Sequence, residues 1–120
     1  MKEIALFESE LKVMKIIWEL GSMTAKEIST IAKEEIGWNK NTTYTVLKKL
    51  IAKHAIEREE PNFVCKALIT IEQVRMQETS KLVNKLYSGS AKLFLSSFLE
   101  KEDLSKEELE ELKSLLDNKM

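Results

Sequence analysis

The chain has 120 residues, 43% of them hydrophobic and 32% charged, which is enough to build one packed core under a well-solvated surface. Its 19 basic and 20 acidic side chains give a formal net charge of -1, so bulk charge cannot hold the protein on nucleic acid and any basic surface must be local. A single cysteine excludes an intrachain disulfide and an all-cysteine metal site.

Apolar residues at helical spacing, separated by scarce turn residues, predict six helices and one β-hairpin. In chain order, the predicted elements are helices at 8–20, 24–36 and 39–53, strands at 55–60 and 63–68, and helices at 71–87, 91–99 and 106–118. Gly21, Gly37 and Gly89 each follow a predicted helix, as expected of the left-handed turn that ends one. The expected fold class is mainly α, with a winged helix-turn-helix domain at 1–69 and a helical dimerisation region at 70–120.

The third predicted helix carries the main functional signal. The stretch from Gly37 to Ile56 contains no acid, although the chain is net negative, and its four lysines, Lys40, Lys48, Lys49 and Lys53, are expected to form one local basic patch. The face expected to pack inward holds Thr43, Val46, Leu47 and Leu50. The opposite face holds Lys40, Asn41, Tyr44, Thr45, Lys48 and Lys49. Lysines suit phosphates, and asparagine, tyrosine and threonine can contact base edges and sugars, so this helix is predicted to enter the major groove of DNA. An ordinary solvated helix face is the alternative interpretation.

The predicted hairpin is less suited to DNA, because its first strand and tip read Glu57-Arg58-Glu59-Glu60. Three carboxylates near a phosphate backbone would be repulsive, and Arg58 and Lys66 are the only cations of the segment. We therefore expect the wing to contribute weakly to DNA binding through Arg58, or to direct its acids away from the duplex.

The C-terminal half is predicted to form three short amphipathic helices, which bury little apolar surface by themselves. Their apolar stripes contain Val74, Leu82, Val83, Leu86, Leu93, Phe94, Phe98, Leu112, Leu115 and Leu116. These stripes could pack against the first domain or against a second copy of the chain. We favour a homodimer, because a symmetric pair presents two recognition helices about one helical turn apart on double-stranded DNA.

Three stretches of the chain resemble the penicillinase repressor family of transcriptional repressors. They read FESELKVMKIIWELGSMTAKEIS, WNKNTTYTVLKKLIAKHAI and LVNKLYSGSAKLFLSSFLEKEDLSKEELEELKSLL. The resemblance covers essentially the whole chain. It implies a cytoplasmic homodimer that binds palindromic operators and represses β-lactamase or penicillin-binding-protein genes. It also implies release from DNA when a membrane sensor protease responds to a β-lactam and the repressor is cut within its dimerisation helices.

The same resemblance implies roles for single residues in the first domain. Thr42, Thr45 and Lys49 fall at recognition-helix positions of the family. Thr24 opens the second helix, whose N-terminus can receive a phosphate.

The chain also departs from the family pattern at several positions. The scissile bond of the family often joins asparagine to phenylalanine, and the aligned pair here is Ser97-Phe98. Lys49 stands where arginine is usual, His54 where glycine is usual, and the wing tip is acidic where a basic one is usual. Because lysine cannot make the planar fork of arginine, we expect the operator sequence to differ from that of better-known members.

Other function classes find less support in the sequence. A related branch of repressors senses copper through paired C-terminal cysteines, which this chain lacks, so no metal and no cofactor are expected. An enzyme is not expected either, because the single histidine would have to serve any nucleophile–histidine–acid set and no glycine-rich phosphate loop is present. Cys65 is interpreted as a buried strand thiol and His54 as a loop or cap residue.

One alternative from a different function class stays open. The chain could be a protein-interaction adaptor that keeps the winged-helix scaffold but has lost operator binding, with the acidic hairpin as its partner surface. The absence of an apolar run near the roughly 20 residues of a membrane span leads us to expect a soluble, cytoplasmic protein with no membrane insertion in either case.

Overall fold

The structure, a computed structural model of the chain, describes residues 4–120. Its elements in chain order are α1 (Glu8–Leu20), β1 (Met23–Thr24), α2 (Ala25–Glu35), α3 (Lys40–Ala52), β2 (Ile56–Glu59), β3 (Val64–Ala67), α4 (Ile71–Leu86), α5 (Ala91–Lys101) and α6 (Lys106–Lys119). The predicted helices and hairpin are confirmed, with ends shifted by one or two residues. The described chain divides into two compact units, one running to Glu78 and the other spanning Thr79–Met120.

The first unit is built on a core between α1, α2, α3 and the sheet. The buried members of this core are Val13, Met14, Ile17, Ala25, Ile28, Val46, Leu47, Leu50, Ala55, Ile56, Cys65, Ile69 and Val74. Trp18 at the edge of the core donates its indole N–H to the carbonyl of Ile69 over 2.9 Å, which ties the last turn of α1 to the segment that leaves the hairpin. The core fixes the rotation of α3, and so decides which of its faces meets solvent.

The sheet contains one strand that the sequence does not predict. Its antiparallel order is β1-β3-β2, with Met23 paired to Cys65 and Ile56 to Ala67. β1 has only two residues, too few to show an alternating pattern, and it forms because β3 offers a free edge. The backbone N–H of Ala25 also donates to the carbonyl of Phe63 over 2.9 Å, so the tip of the hairpin is fastened to the start of α2.

The second unit keeps much of its apolar surface in solvent. Tyr87 contacts Phe94 with ring centroids 5.3 Å apart, and Phe94 contacts Phe98 at 6.1 Å, which forms a small aromatic cluster. No residue of α5 or α6 is fully buried. The exposed leucines and phenylalanine of this unit are Leu82, Leu86, Leu93, Leu95, Phe98, Leu99, Leu109, Leu112, Leu115 and Leu116. Among residues 4–120, no helix has the length and apolar character needed to cross a membrane.

Candidate nucleic-acid interface

The start of α3 is built by a side-chain cap. Asn39 has extended backbone and its Oδ1 accepts the backbone N–H of Thr42 over 2.8 Å, which satisfies one of the free donors of the first turn. Thr43 is fully buried and donates its hydroxyl to the carbonyl of Asn39 over 3.3 Å. The predicted inward face is confirmed, and its burial aims the opposite face outward.

The outward face of α3 carries the polar residues that are predicted from the sequence to contact DNA. Exposed positions on it are Lys40, Asn41, Thr42, Thr45, Lys48 and Lys49, and Tyr44 is half-buried beside them. Thr45 donates its hydroxyl to the carbonyl of Asn41 over 2.9 Å. The side chain of Thr45 therefore presents its methyl group and oxygen lone pairs, a combination that can meet a thymine methyl group.

Lys53, the fourth lysine of the acid-free stretch, does not belong to this outward face. Its Nζ lies 2.6 Å from Glu10 Oε1, donates to the carbonyl of Ala5 over 2.8 Å, and stands 4.3 Å from the centre of the Phe7 ring. The expectation of a patch of four lysines is therefore corrected to three, Lys40, Lys48 and Lys49. The charge of Lys53 compensates a carboxylate that lies 43 positions earlier in the sequence.

Aromatic rings connect the hairpin to α3. Tyr44 and Phe63 meet edge to face with centroids 5.8 Å apart. The guanidinium of Arg58 lies over the Phe63 ring, 3.8 Å from its centre, and Lys40 Nζ lies 5.5 Å from the Tyr44 ring centre. This alternation of cation and ring holds the hairpin tip against the first turns of α3.

The cations of the hairpin face its own acids. Arg58 forms an ion pair with Glu60 at 2.5 Å, and Lys66 stands directly opposite Glu57 in the strand register. Glu57 and Glu59 are exposed. The structure thus places Arg58 against a ring and a carboxylate, where little of its charge is left for a phosphate.

Thr24 lies at the N-cap of α2 and is half-buried. Its Oγ1 accepts the backbone N–H of Glu27 over 3.1 Å, while Glu27 Oε1 accepts the backbone N–H and the hydroxyl of Thr24. The hydrogen bonds that the Glu27 carboxyl accepts hold its pKa below the usual value of 4.5, and the bond from the backbone N–H of Thr24 has the larger effect. The spacing of Thr24-Ala25-Lys26-Glu27 in the sequence predicts a capping box, and the structure confirms it, so this helix N-terminus is closed by its own side chains.

A basic groove between α2 and the start of α3 was not predicted from the sequence. It has a volume of about 710 Å³. Its lining residues are Lys26, Ser29, Thr30, Lys33, Glu34, Asn39 and Lys40. Lys26, Thr30 and Lys33 recur at the spacing of helical turns on the exposed side of α2, and this spacing is the sequence signal by which the groove could have been found.

Cys65 and His54 lie where the sequence predicts them. Cys65 is fully buried, and desolvation raises the pKa of its thiol to about 11, against a smaller lowering by the charge of Arg58. His54 is exposed just past the end of α3, with φ at +62° and its backbone N–H donating to the carbonyl of Ile51. Within residues 4–120, no three histidine, cysteine, aspartate or glutamate side chains group as metal ligands would.

The apolar residues assigned to a dimer surface fall into two groups. Val74 and Val83 are buried within their own chain, and Phe94 is half-buried. The others, Leu82, Leu86, Leu93, Phe98, Leu112, Leu115 and Leu116, are exposed. The aligned cleavage pair lies within α5, where Ser97 is half-buried and Phe98 exposed.

Comparisons with known proteins agree with these observations. A sequence model of the family described as penicillinase repressor matches residues 6–118. The methicillin resistance regulatory protein MecI of Staphylococcus aureus strain N315 is 30% identical over 98% of this chain and 98% of its own length. The penicillinase repressor of Bacillus licheniformis is 30% identical over 98% of this chain and 94% of its own length.

Two solved structures match the winged-helix part of the fold. One is the DNA-binding domain of the repressor BlaI in solution, with a TM-score of 0.55, 30% identity and coverage of 61% of this chain and 93% of that one. The other is the monomeric form of Bacillus licheniformis BlaI in complex with the blaP half-operator, with a TM-score of 0.52, 32% identity and the same coverage. The expected winged helix is confirmed by this likeness.

Proposed function

This chain belongs to the penicillinase repressor family, and from that membership we propose that it is a DNA-binding repressor whose α3 enters the major groove of an operator. The observation that carries the proposal is the outward face of α3, where three lysines and a set of uncharged polar side chains share one surface with no carboxylate among them. The family is one of transcriptional repressors and not of enzymes, which confirms the expectation of a non-enzymatic protein.

Each side chain of that face has a defined role in the proposal. Lys48 and Lys49 neutralise phosphates, with Lys40 at the start of the helix. Asn41, Thr42, Tyr44 and Thr45 face base edges and sugars. Thr24 is left out of the contacting set because its hydroxyl and the N-terminus of α2 are engaged in the capping box with Glu27. Arg58 is left out of the contacting set because Glu60 and Phe63 occupy its guanidinium.

We further propose that two copies associate through the exposed apolar side chains of residues 70–120 and bind a palindromic operator in the cytoplasm. Short helices that expose so many leucines leave more apolar surface in water than a soluble monomer usually does. A pair of α3 helices, held one helical turn apart, reads two half-sites at once. Val74 is left out of this surface because it already packs in the core of the first unit.

The names of the family and of its relatives support genes of β-lactam resistance as the targets. Proteolysis within the dimerisation helices is the route of release that the resemblance implies, and we propose it here. A membrane sensor protease would cut near Ser97-Phe98. This bond lies inside α5, so a protease needs that helix to open locally before the chain can enter its active site in extended form.

The replacement of Lys48 and Lys49 by alanine tests the proposal. We expect the double variant of the full chain to bind a duplex from its own gene's upstream region more weakly, with the slope of log Kobs against log[salt] reduced by about two units per chain. Lys12→Ala/Lys15→Ala removes two exposed lysines of α1 and serves as the matched control. Fluorescence anisotropy over a range of salt concentrations measures both.

Two results would contradict the proposal in different ways. If Lys48→Ala/Lys49→Ala binds like the control variant, the assignment of α3 as the recognition helix is wrong. If the wild-type chain shows no saturable binding to any upstream duplex at moderate salt, the acidic hairpin becomes the better functional surface and the adaptor is favoured.

A further inference from the structure

The basic groove between α2 and α3 carries lysines that form no ion pair within residues 4–120. Lys26 and Lys33 are exposed on α2, and Lys40 stands across from them at the start of α3. No carboxylate of residues 4–120 lies within ion-pair distance of these three lysines. Glu34 is the one acid among the described lining residues, so the groove keeps a clear positive excess.

The other flank of α3 has the opposite character. The hairpin presents the exposed acids Glu57, Glu59 and Glu60, and its Arg58 is engaged by Glu60 and the Phe63 ring. A polyanion that follows α3 is therefore repelled on the hairpin side and attracted on the α2 side.

Given the proposed function, on which this step rests, we propose that the groove between α2 and the start of α3 binds the phosphate backbone of the duplex strand that borders the major groove. Lys26 and Lys33 are the contacting cations, with Ser29 as a neutral hydrogen-bond donor between them. The groove supplies the phosphate contacts that the acidic hairpin cannot, and the hairpin acts instead as a brace that holds Tyr44 and the first turns of α3.

The spacing of the cations fits this partner. Seven residues separate Lys26 from Lys33, about 10.5 Å along the axis of α2 at 1.5 Å per residue. One strand of B-DNA carries a phosphate about every 3.4 Å of helix axis, so two lysines this far apart can contact different phosphates of the same strand. Asn39 and Lys40, at the start of α3, also line the groove. The surface proposed to bind phosphates therefore adjoins the outward face of α3 that is proposed to contact bases.

The test compares two pairs of lysines in the full-length protein. Lys26→Ala/Lys33→Ala should weaken binding about 30-fold per chain at 0.15 M salt and reduce the salt slope by about two units per chain, equally on operator and on a scrambled duplex. Lys12→Ala/Lys15→Ala, with the same change of charge on α1, should leave both quantities unchanged. Ethylation interference should show two or three phosphates beside each half-site that matter to the wild type and not to the double variant.

The outcomes separate this inference from the proposed function. If the wild type binds operator and Lys26→Ala/Lys33→Ala keeps the full salt slope and the same ethylation pattern, the groove does not contact DNA and only this inference fails. If the wild type binds no duplex, the proposed function fails first. If the double variant changes sedimentation but not DNA binding, the groove binds an acidic segment of a second copy, which also overturns the inference.

Discussion

At the scale of single residues, the pair of Glu10 and Lys53 places a charge inside the protein. The Glu10 side chain has no solvent exposure, and its Oε1 accepts from both Lys53 Nζ and the backbone N–H of Phe7. Glu10 Oε2 is buried with no hydrogen-bond partner among the described residues. Because a carboxylate loses several kcal/mol of hydration on burial, its cation is required for the folded state, and the pair holds the end of α3 against the start of α1.

We predict that Lys53→Met destabilises the protein by about 3 kcal/mol, because methionine keeps the packing of the side-chain stem but leaves the buried carboxylate without a cation. Lys49→Met, on the exposed face of the same helix, should stay within about 0.5 kcal/mol of the wild type. Urea denaturation followed by circular dichroism measures both. Equal denaturation midpoints for the two variants would show that Glu10 does not depend on Lys53.

A combined variant tests the same pair from the other side. Glu10→Gln/Lys53→Met removes both charges, so it should recover part of the stability lost in Lys53→Met alone. The glutamine can still accept the backbone N–H of Phe7 through its side-chain carbonyl.

At the scale of elements, the start of α2 is a reciprocal cap between Thr24 and Glu27. The cap lowers the pKa of Glu27 below 4.5, so the folded state binds the proton of this carboxyl more weakly than the unfolded chain does. The stabilising contribution is therefore fully present above pH 4.5 and is lost as the pH falls through the lowered pKa.

We predict that Thr24→Val lowers the free energy of unfolding by about 1 kcal/mol at neutral pH and raises the pKa of Glu27 towards 4.5. Valine keeps the branched shape of threonine but cannot bond to Glu27. Thr30→Val, whose hydroxyl only donates to the carbonyl of Lys26 within α2, should leave the Glu27 titration unchanged. Side-chain carboxyl chemical shifts followed by NMR report the pKa, and an unaltered titration in Thr24→Val would contradict the role of the cap.

Local sequence patterns predicted most of these elements. They did not predict the two-residue strand β1 or the ion pair between the distant residues Glu10 and Lys53. The inward face of α3 could be predicted because Thr43, Val46 and Leu47 follow a helical period, and the cap at Thr24 because it depends on residues three apart. β1 could not be predicted, since two residues form a strand only when β3 is already beside them. Lys53 was misplaced in the basic patch because its partner, Glu10, is distant in sequence.

At the scale of the whole molecule, the proposed association of two copies depends on the exposed leucines of the second unit. Val74 shows the limit of the sequence here, because an apolar stripe does not reveal whether a residue packs on its own chain or on a partner. The leucines of α6 leave no such doubt, since Leu115 is 63% exposed and Leu116 is 59% exposed.

We predict that Leu115→Asp/Leu116→Asp converts a dimer to a monomer, because burying the introduced carboxylates between two copies would cost several kcal/mol. Operator affinity should fall with it, since two half-site contacts no longer act together. Leu20→Asp, a similar change at an exposed leucine of α1, should remain dimeric. Sedimentation velocity distinguishes these results, and a dimeric Leu115→Asp/Leu116→Asp variant would rule out the proposed surface.

The small sheet also has a consequence for the behaviour of concentrated solutions. Its outer strands are β1, which is only two residues long, and β2, which exposes Glu57, Arg58 and Glu59 in succession. A foreign strand would gain few backbone hydrogen bonds at the first edge and would have to align beside a row of charges at the second. Both edges therefore disfavour growth of the sheet into amyloid-like fibrils, although the helices of the second unit expose apolar side chains.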